Sequence, residues 1–517
     1  MTHAVLMVLI FFAILFVFHS IFLVVLWCSN SGAHSKPKQD SLLNLNEKRD
    51  NEEYLIVYAS QSGQTENYAR QTVQQLSSLG HTAQAISVEY FDTAVFSKSL
   101  KILWMVSTYG EGDAPDTARQ FIQNVMTKSF DLNDIQCAVL AFGDRRYQNF
   151  CAFGMQLDIW LKDNQAQILF PIVRVDQLNQ ADLAEWQSQL GRVLDTSLSD
   201  HVLIDQQLFS EVILAERYLL NKGSLGHPMY HLLLKKIDVL SWQSGDILEI
   251  QCANSDSQIS AFLNDTTPQL TGNLLQVDIF EQLRFKNLRT YPSKIINEQP
   301  SFSFEQWITQ SENLPIREYS IASIPSQKVL ELVVRQEITG NGLGLGSGYL
   351  TENLALGEVL HCRIRSNPAF HLIEYNAPII LIGNGSGIAG LMSHIQQRTE
   401  RHFHQNWLIY GERQRAIDVG FAQQILDWQN QGILTDVDFA FSRDPYSGKQ
   451  NSFKYVQDCL RAKAEHVNAW VDRGAMIYIC GSLKGMAQDV ESTLIEILGQ
   501  KGFDQLLEKK RYLRDVY

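Results

Sequence analysis

The sequence lacks paired cysteines and lacks an excess of positive charge. Its seven cysteines include no Cys-x-x-Cys pair, a pattern that disfavours a disulfide framework and a zinc or iron–sulfur site and favours a reducing compartment. The formal net charge of −13 argues against a nucleic-acid partner, because nothing would offset phosphate repulsion. We also find no low-complexity tract, heptad run or internal repeat. A chain of 517 residues then predicts about three folded units.

A long apolar run begins the chain. Residues 4–27 are nearly all Val, Leu, Ile and Phe, enough for the ~20 apolar residues that cross a bilayer. A cleaved signal peptide would need a basic start and a small-residue cleavage site, and a lipoprotein signal would need small residues before Cys28. Lysines and an arginine follow the run and none precedes it. The sequence therefore predicts a transmembrane anchor at residues 1–28, a polar tether at 29–51 and a single-pass membrane protein with its folded domains on the cytoplasmic side.

A hydroxyl-rich loop opens the first predicted unit, residues 52–198. The buried-strand pattern of residues 54–59 leads into a helical pattern that ends near Gly80. Such a loop at a helix N-terminus offers N–H groups and hydroxyls to a phosphate, although a well-capped helix without a ligand is an equal alternative. It lacks the Gly-Lys-Ser/Thr of an NTPase loop, so nucleotide hydrolysis is not indicated. The candidate phosphate ligands are Ser60, Gln61, Ser62, Gly63, Gln64 and Thr65.

Two further strand patterns in this unit, residues 101–106 and 137–142, also run into polar loops. In an open parallel sheet such loops meet at the carboxyl edge, where ligands bind. Tyr109 and Tyr147 would then flank a flat ring there, whereas each tyrosine alone is more often ordinary packing. The candidate residues of these loops are Ser107, Thr108, Tyr109, Gly110, Gly143, Asp144, Tyr147 and Phe150.

The second predicted unit, residues 199–375, begins with a polar linker and continues with alternating strand patterns. These patterns favour a small antiparallel barrel. Within it stand Arg317, Tyr319 and Ser320, followed by a glycine-rich loop at 342–350 that contains Gly346 and Ser347. The glycines would let backbone amides approach an anion, and a simple hairpin is the alternative.

The third predicted unit, residues 376–517, alternates strands and helices and predicts a doubly wound sheet. Its first strand enters a loop with Gly385, Ser386 and Gly387, weak evidence alone for a dinucleotide site at the switch point of the sheet. A hydroxyl with cationic groups suits a 2′-phosphate and favours NADPH over NADH, although exposed basic residues at a helix start are common. The residues for this role are Ser442, Arg443, Lys454, Tyr455 and Gln457.

Together and in this order, these motifs resemble those of the NADPH-dependent diflavin reductases. The resemblance covers the chain after residue 50 except for a shortened connecting segment, Asn254 to Pro315. It implies a multidomain α/β plus β-barrel protein: a flavodoxin-like FMN domain, a ferredoxin-reductase-like FAD barrel and a doubly wound NADP domain. The short connector leaves the geometry between the two flavins open.

The resemblance also implies roles for individual residues. Tyr109 and Tyr147 would face FMN. In the barrel, Arg317 would pair with the FAD pyrophosphate, Tyr319 would stack on the isoalloxazine, Ser320 would lie near the hydride-accepting nitrogen, and Gly346 with Ser347 would hold the phosphates. The sequence departs from the family where Lys454 is shifted by one position, and at Asn384, Gly390 and Ser482.

The end of the chain resembles the tail of the sulfite reductase flavoprotein subunit. By that resemblance Cys480, Asp515 and Ser320 surround the transferred hydride, and Tyr517 covers the flavin until nicotinamide displaces it. Electrons would pass from NADPH through FAD and FMN to a one-electron acceptor, and a haem protein in the same membrane is the expected partner. Ferric-chelate or flavin reduction, a soluble sulfite-reducing haem subunit and a flavin-binding membrane scaffold are the alternatives. Arg145 and Arg146 beside the flavin edge could dock an acidic partner or could be solvated surface residues.

Overall fold

We describe the protein from a computed structural model. The described residues are 54–61, 63–97, 101–109, 112–145, 147–196, 209–236, 240–266, 276–291, 304–340, 342–444 and 453–517. Within these ranges no helix has the length and apolar character needed to cross a bilayer. That finding contradicts the predicted single-pass membrane localisation, and the apolar run on which the prediction rested lies outside the described residues. The tether, Ser62, Gly110 and Arg146 lie outside them too.

The first unit contains a parallel sheet in the order β2-β1-β3-β4-β5, with β6 also paired to β4. Its strands are β1 (Tyr54–Ala59), β2 (Ala83–Ser87), β3 (Lys101–Ser107), β4 (Gln136–Gly143), β5 (Gln167–Ile168) and β6 (Val173–Asp176), and its longer helices are α1 (Gln64–Ser78), α2 (Ala152–Asp163) and α3 (Gln180–Val193). Hydrophobic clusters cover both faces of the sheet. Strands β1, β3 and β4 are therefore continuous apolar runs, as expected for buried parallel strands.

The second unit is a six-stranded antiparallel sheet in the order β10-β9-β14-β7-β8-β11. The strands are β7 (Ser210–Leu219), β8 (Met229–Lys236), β9 (Ile247–Gln251), β10 (Ile316–Ser320), β11 (Val329–Arg335) and β14 (Val359–Arg365), with a small hairpin of β12 (Ile338–Thr339) and β13 (Gly342–Leu343). A bridge between Ile321 and Leu332 brings the two edge strands together. The sheet thus curves into the predicted barrel around an apolar interior.

The shortened connecting segment has a core of its own. Three helices lie in or beside it: α4 (Asp256–Thr266), α5 (Gln276–Arg284) and α6 (Phe304–Gln310). Ile259, Leu283, Phe304 and Trp307 are buried together, and the rings of Phe304 and Trp307 stack with centroids 5.8 Å apart. Asn254 ties this cluster to the barrel, because its side-chain amide donates to the carbonyl groups of residues 283 and 286 at 2.8 Å.

The third unit is a parallel sheet in the order β17-β16-β15-β18-β19. Its strands are β15 (Ile379–Asn384), β16 (Asn406–Glu412), β17 (Asp436–Phe441), β18 (Met476–Gly481) and β19 (Tyr512–Val516). Its helices are α8 (Ile388–Glu400), α9 (Ala422–Asn430), α10 (Val456–Ala462), α11 (Ala464–Asp472) and α12 (Gln488–Glu508). The label α7 is used for a short helix of the barrel, Leu345–Gly348. Strand order reverses between β15 and β18, which is where a doubly wound sheet binds its ligand.

Candidate active site

The phosphate loop of the first unit begins where β1 ends. Gly63 has a φ of 81° and stands at the start of α1, and no described side chain caps that start. Ser60 instead shapes the loop, because its Oγ accepts the N–H of Gly63 at 2.9 Å. Gln61 accepts the N–H of Asp116 at 2.9 Å and so joins this loop to the one after β3. Uncapped N–H groups at the helix start fit a phosphate.

The loops after β3 and β4 lie side by side. A Cβ on Gly143 would lie 2.9 Å from the backbone nitrogen and Sγ of Cys151, so only glycine fits there. Ser107 donates to the carbonyl oxygen of Ala59 at 3.2 Å, and Thr108 accepts the N–H of Phe153 at 3.2 Å. These hydroxyls therefore hold the loops in place.

The two candidate ring-flanking tyrosines have different surroundings. The hydroxyl of Tyr109 donates to the carbonyl oxygen of Val516 in the C-terminal strand, and burial raises its pKa well above the usual value, with smaller contributions from Asp515 and Glu318. Tyr147 is 40% exposed. One side of this site thus faces the rest of the molecule and the other faces solvent.

A cavity of about 1050 Å³ lies between the barrel and the third unit. It brings together most of the residues predicted for FAD and NADPH. Those that line it are Arg317, Tyr319, Ser320, Gly346, Ser347, Gly385, Ser386, Ser442, Lys454, Tyr455, Gln457 and Tyr517.

Close packing explains the glycine of the barrel loop. A Cβ on Gly346 would lie 2.5 Å from Cγ of Arg317 and 2.6 Å from the hydroxyl of Tyr319. Ser347 accepts the N–H of Glu337 at 2.9 Å, which fixes the loop over Arg317 and Tyr319. The cationic side chain and the adjacent backbone fit a pyrophosphate.

The predicted hydride site is a compact buried cluster. Ser320 donates to Oδ2 of Asp515 at 2.6 Å, and Sγ of Cys480 lies 3.7 Å from the same oxygen. Cys480 and Asp515 are register partners in β18 and β19. Burial, with Asp515 next in size, raises the pKa of Cys480 well above its usual value. Burial also raises the pKa of Asp515, against the hydrogen bond from Ser320. The thiol is therefore a neutral group at pH 7.

The nucleotide loop packs directly on this cluster. A Cβ on Gly387 would overlap the carbonyl oxygen of Cys480, and one on Gly390 would lie 3.1 Å from Sγ of Cys480. No described side chain caps the start of α8, so its N–H groups are available to a nucleotide phosphate. The Tyr517 hydroxyl lies 2.9 Å from Oγ of Ser386, which places the last side chain of the chain across this loop.

The expected 2′-phosphate residues are only partly brought together. Ser442, Lys454, Tyr455 and Gln457 line the cavity, whereas Arg443 is exposed and outside the lining. Arg413 lines the cavity next to Ser442. Sequence reasoning did not select Arg413, although its position at the carboxyl end of β16 was a usable signal.

A second missed group is an ion pair between two domains. Arg335 of β11 reaches Glu412 of β16 with 3.0 Å between Nη2 and Oε1, and the hydroxyl of Tyr410 lies 2.9 Å from the same oxygen. The carbonyl oxygen of Gly385 lies 2.8 Å from that hydroxyl, which donates its one proton to either of these two acceptors. Burial raises the pKa of Glu412, and Arg335 opposes that shift. The Tyr410 hydroxyl thus links this ion pair to the loop that contains Gly385.

Comparisons with known proteins match two of the three units to family models. The flavodoxin family model matches residues 56–189, and the model of the oxidoreductase NAD-binding domain matches residues 381–492. Similar curated proteins include the sulfite reductase [NADPH] flavoprotein alpha-components of Vibrio cholerae, 28% identical over 89% of this chain and 87% of the relative, and of Bacillus subtilis, 25% identical over 90% and 89%.

The same description applies to a relative from Buchnera aphidicola, 26% identical over 91% of each chain. The matches span the flavodoxin-like sheet, the barrel and the nucleotide-binding sheet in one alignment. These matches support the assignment of the chain to the NADPH-dependent diflavin reductases, enzymes that use FMN, FAD and NADPH.

Proposed function

We propose that this reductase delivers single electrons to a separate haem protein that docks at the outer side of the FMN loops. The observation that supports the proposal is the contrast between the two tyrosines. Tyr109 is hydrogen-bonded to the C-terminal strand, whereas Tyr147 is 40% exposed. Loops arranged in this way have an inner side toward the electron source and an outer side toward a partner.

The hydride site has a defined task in this proposal. The cofactors supply the redox chemistry, with a hydride from NADPH and single electrons from the flavins. Ser320 and Asp515 orient the reacting groups through their hydrogen bond. Cys480 contributes a neutral, fully buried thiol that keeps water away from the site. Tyr517 closes the cavity until nicotinamide replaces it.

The phosphate-binding roles remain proposals for each loop. In the described part of the chain, three uncapped or glycine-lined loops suit the FMN phosphate and the pyrophosphates of FAD and NADPH, and side chains at the cavity edge suit the 2′-phosphate. The proposed ligands are Ser60 to Thr65 for FMN; Arg317, Gly346 and Ser347 for FAD; Gly385, Ser386 and Gly387 for the NADPH pyrophosphate; and Ser442, Arg443, Lys454, Tyr455 and Gln457 with Arg413 for the 2′-phosphate.

The outer side of the FMN loops carries features of a protein-docking surface. Helix α2, which follows the Tyr147 loop, exposes Met155 and Ile159 one turn apart, at 41% and 55%. The guanidinium groups of Arg145 and Arg174 lie 4.8 and 5.8 Å from the ring of Phe150. An apolar strip with cations beside it suits a partner that has an acidic rim around its redox centre.

The descriptions of the relatives favour sulfite reduction as the process that uses the electrons. They are described as alpha-components of an NADPH-dependent sulfite reductase, and an alpha-component acts together with at least one other component. We propose a sulfite-reducing haem subunit as the first acceptor to test. Ferric-chelate or free-flavin reduction is the alternative, and it would need no docking surface.

Purified full-length enzyme tests the proposal. FMN and FAD are quantified per chain, and NADPH oxidation is followed with cytochrome c, a sulfite-reducing haem subunit and ferricyanide. We expect one of each flavin and reduction of all three acceptors. Reduction of ferricyanide alone would count against a relay to a haem protein.

A surface variant distinguishes docking from small-molecule reduction. Ile159→Asp should slow reduction of the haem subunit several-fold, because a charge in a docked apolar contact is costly, while ferricyanide reduction stays unchanged. Ile338→Asp is the matched control, since Ile338 is 50% exposed on the barrel. Equal effects of the two variants would remove the support for this surface.

A further inference from the structure

A cluster of four charged side chains joins the FMN domain to the C-terminal part of the chain. Nη1 of Arg119 lies 2.9 Å from Oε1 of Glu491. Nε of Arg514 lies 3.2 Å from Oδ2 of Asp116, and a second, short ion pair joins the same two side chains. Nη1 of Arg514 lies 3.3 Å from Oε2 of Glu491. Two cations and two anions thus alternate across the domain boundary, and we call them the clasp.

The clasp is shielded from solvent more than an ordinary surface ion pair. The side chain of Arg514 is 13% exposed, and those of Arg119, Glu491 and Asp116 are 21%, 23% and 32% exposed. Exposed ion pairs contribute little to stability, whereas a shielded network fixes geometry because the Arg119–Glu491 and Arg514–Asp116 pairs are both lost if the surfaces part.

Other contacts extend the same boundary on either side of the clasp. Nζ of Lys510 lies 3.1 Å from Oε2 of Glu89 and 2.5 Å from the hydroxyl of Tyr90. At the other end, Tyr109 donates to the carbonyl oxygen of Val516. The three contact points all involve the segment 510–516, so the FMN domain rests on the C-terminal strand.

The same strand also belongs to the hydride site. Asp515 follows Arg514 directly, and neighbouring side chains of a strand point to opposite sides. Asp515 accepts from Ser320 on one side, while Arg514 pairs with the FMN domain on the other. Adjacent residues of this strand therefore contact the proposed hydride site and the FMN domain.

We propose that Asp116 and Arg514, supported by Arg119 and Glu491, position the FMN domain on the C-terminal strand for electron transfer between the flavins. They are positioning residues, because they contact each other and not the reacting atoms. The proposal concerns transfer inside the chain and does not depend on which acceptor follows.

Charge exchange tests the clasp in the full-length holoenzyme. Asp116→Arg and Arg514→Asp each leave three like charges and one opposite charge, so each should separate the surfaces. The double variant D116R/R514D restores two cations and two anions in exchanged places. Arg461→Glu is the control, since Arg461 pairs with Glu496 inside the third unit at 3.0 Å.

The first readout is the radius of gyration from small-angle X-ray scattering, which does not require turnover. We expect the single variants to be more extended than the wild-type enzyme at low salt. The double variant and Arg461→Glu should match the wild type. Added salt should extend the wild type toward the single variants, because ions screen the clasp.

The second readout separates two steps by rapid mixing with NADPH. FMN reduction should slow by about tenfold in Asp116→Arg, as expected when a like charge faces Arg514 in a shielded network, while the preceding FAD reduction changes less than about twofold. The double variant should recover most of the rate. Unchanged scattering and FMN reduction in both single variants, or a double variant as impaired as the single variants, would overturn the proposal.

Discussion

The proposed hydride site and the proposed 2′-phosphate edge border the same cavity but differ in packing and exposure. Cys480 is fully buried and Ser320 is 8% exposed, and glycines hold the nucleotide loop against them. Tyr455 at the other edge is 46% exposed, and no described glycine contact restrains it. If the proposed roles hold, reactivity depends on packed, fixed groups, whereas the preference for NADPH depends on solvated charges that tolerate change.

Removing the charge at the hydride site should have the largest effect. Asp515→Asn should slow FAD reduction by NADPH by about 10²-fold, because a preorganised polar group beside the reacting atoms contributes on that scale. Rapid mixing at saturating NADPH measures the step. Asp504→Asn, at a half-buried position of α12 outside the cavity lining, is the control and should be neutral. Similar rates in both variants would remove Asp515 from the site.

Breaking the packing of the buried site should cost stability. Gly387→Ala would push a methyl group into the carbonyl oxygen of Cys480, and overpacking of this kind costs about 1–3 kcal/mol. The free energy of unfolding from denaturant titration checks the expectation. Gly340→Ala is the matched control, because a Cβ there meets no atom within 4 Å. A Gly387→Ala protein as stable as the control would show that the loop relaxes freely.

At the solvated edge the expected effect is smaller and specific to NADPH. Arg413 lines the cavity and Arg443 does not, so Arg413→Ala should raise the KM for NADPH about tenfold, the worth of one charge-assisted hydrogen bond, and leave the KM for NADH nearly unchanged. Arg443→Ala serves as the comparison and should have the weaker effect. The reverse order would restore Arg443 as the main 2′-phosphate ligand.

Local patterns predicted much of this arrangement because they depend on neighbours in the sequence. The strand at 54–59 has the expected bounds, because burial of its apolar run fixes them. The contact between Ser320, Cys480 and Asp515 also agrees with the expectation from the family resemblance.

Long-range contacts could not be predicted in the same way. Strand β19 was missed because its short sequence, with Arg514 and Asp515 at its centre, has no apolar run and forms only by pairing with β18. Arg335 lies 77 residues from its partner Glu412, and the hydrogen bond from Tyr109 to Val516 spans 407 residues. No periodicity in one sequence reports such pairs.

The smallest expected effect is a change in how the stability of the enzyme depends on pH, and it arises at the buried site. Burial raises the pKa of Asp515 in the folded enzyme above its ordinary value of 3.8. The folded state therefore binds this proton more tightly than the unfolded state does, and the stability that the proton contributes is present at low pH and lost as pH rises through the raised pKa. At neutral pH the ionised carboxylate is a cost that Asp515→Asn removes. The melting temperature of Asp515→Asn should therefore exceed that of the wild type by a few degrees at neutral pH, and the difference should shrink as the pH is lowered through the raised pKa. A difference that grew toward low pH would mean that the carboxylate is stabilised in the folded enzyme, with a folded pKa below the ordinary value.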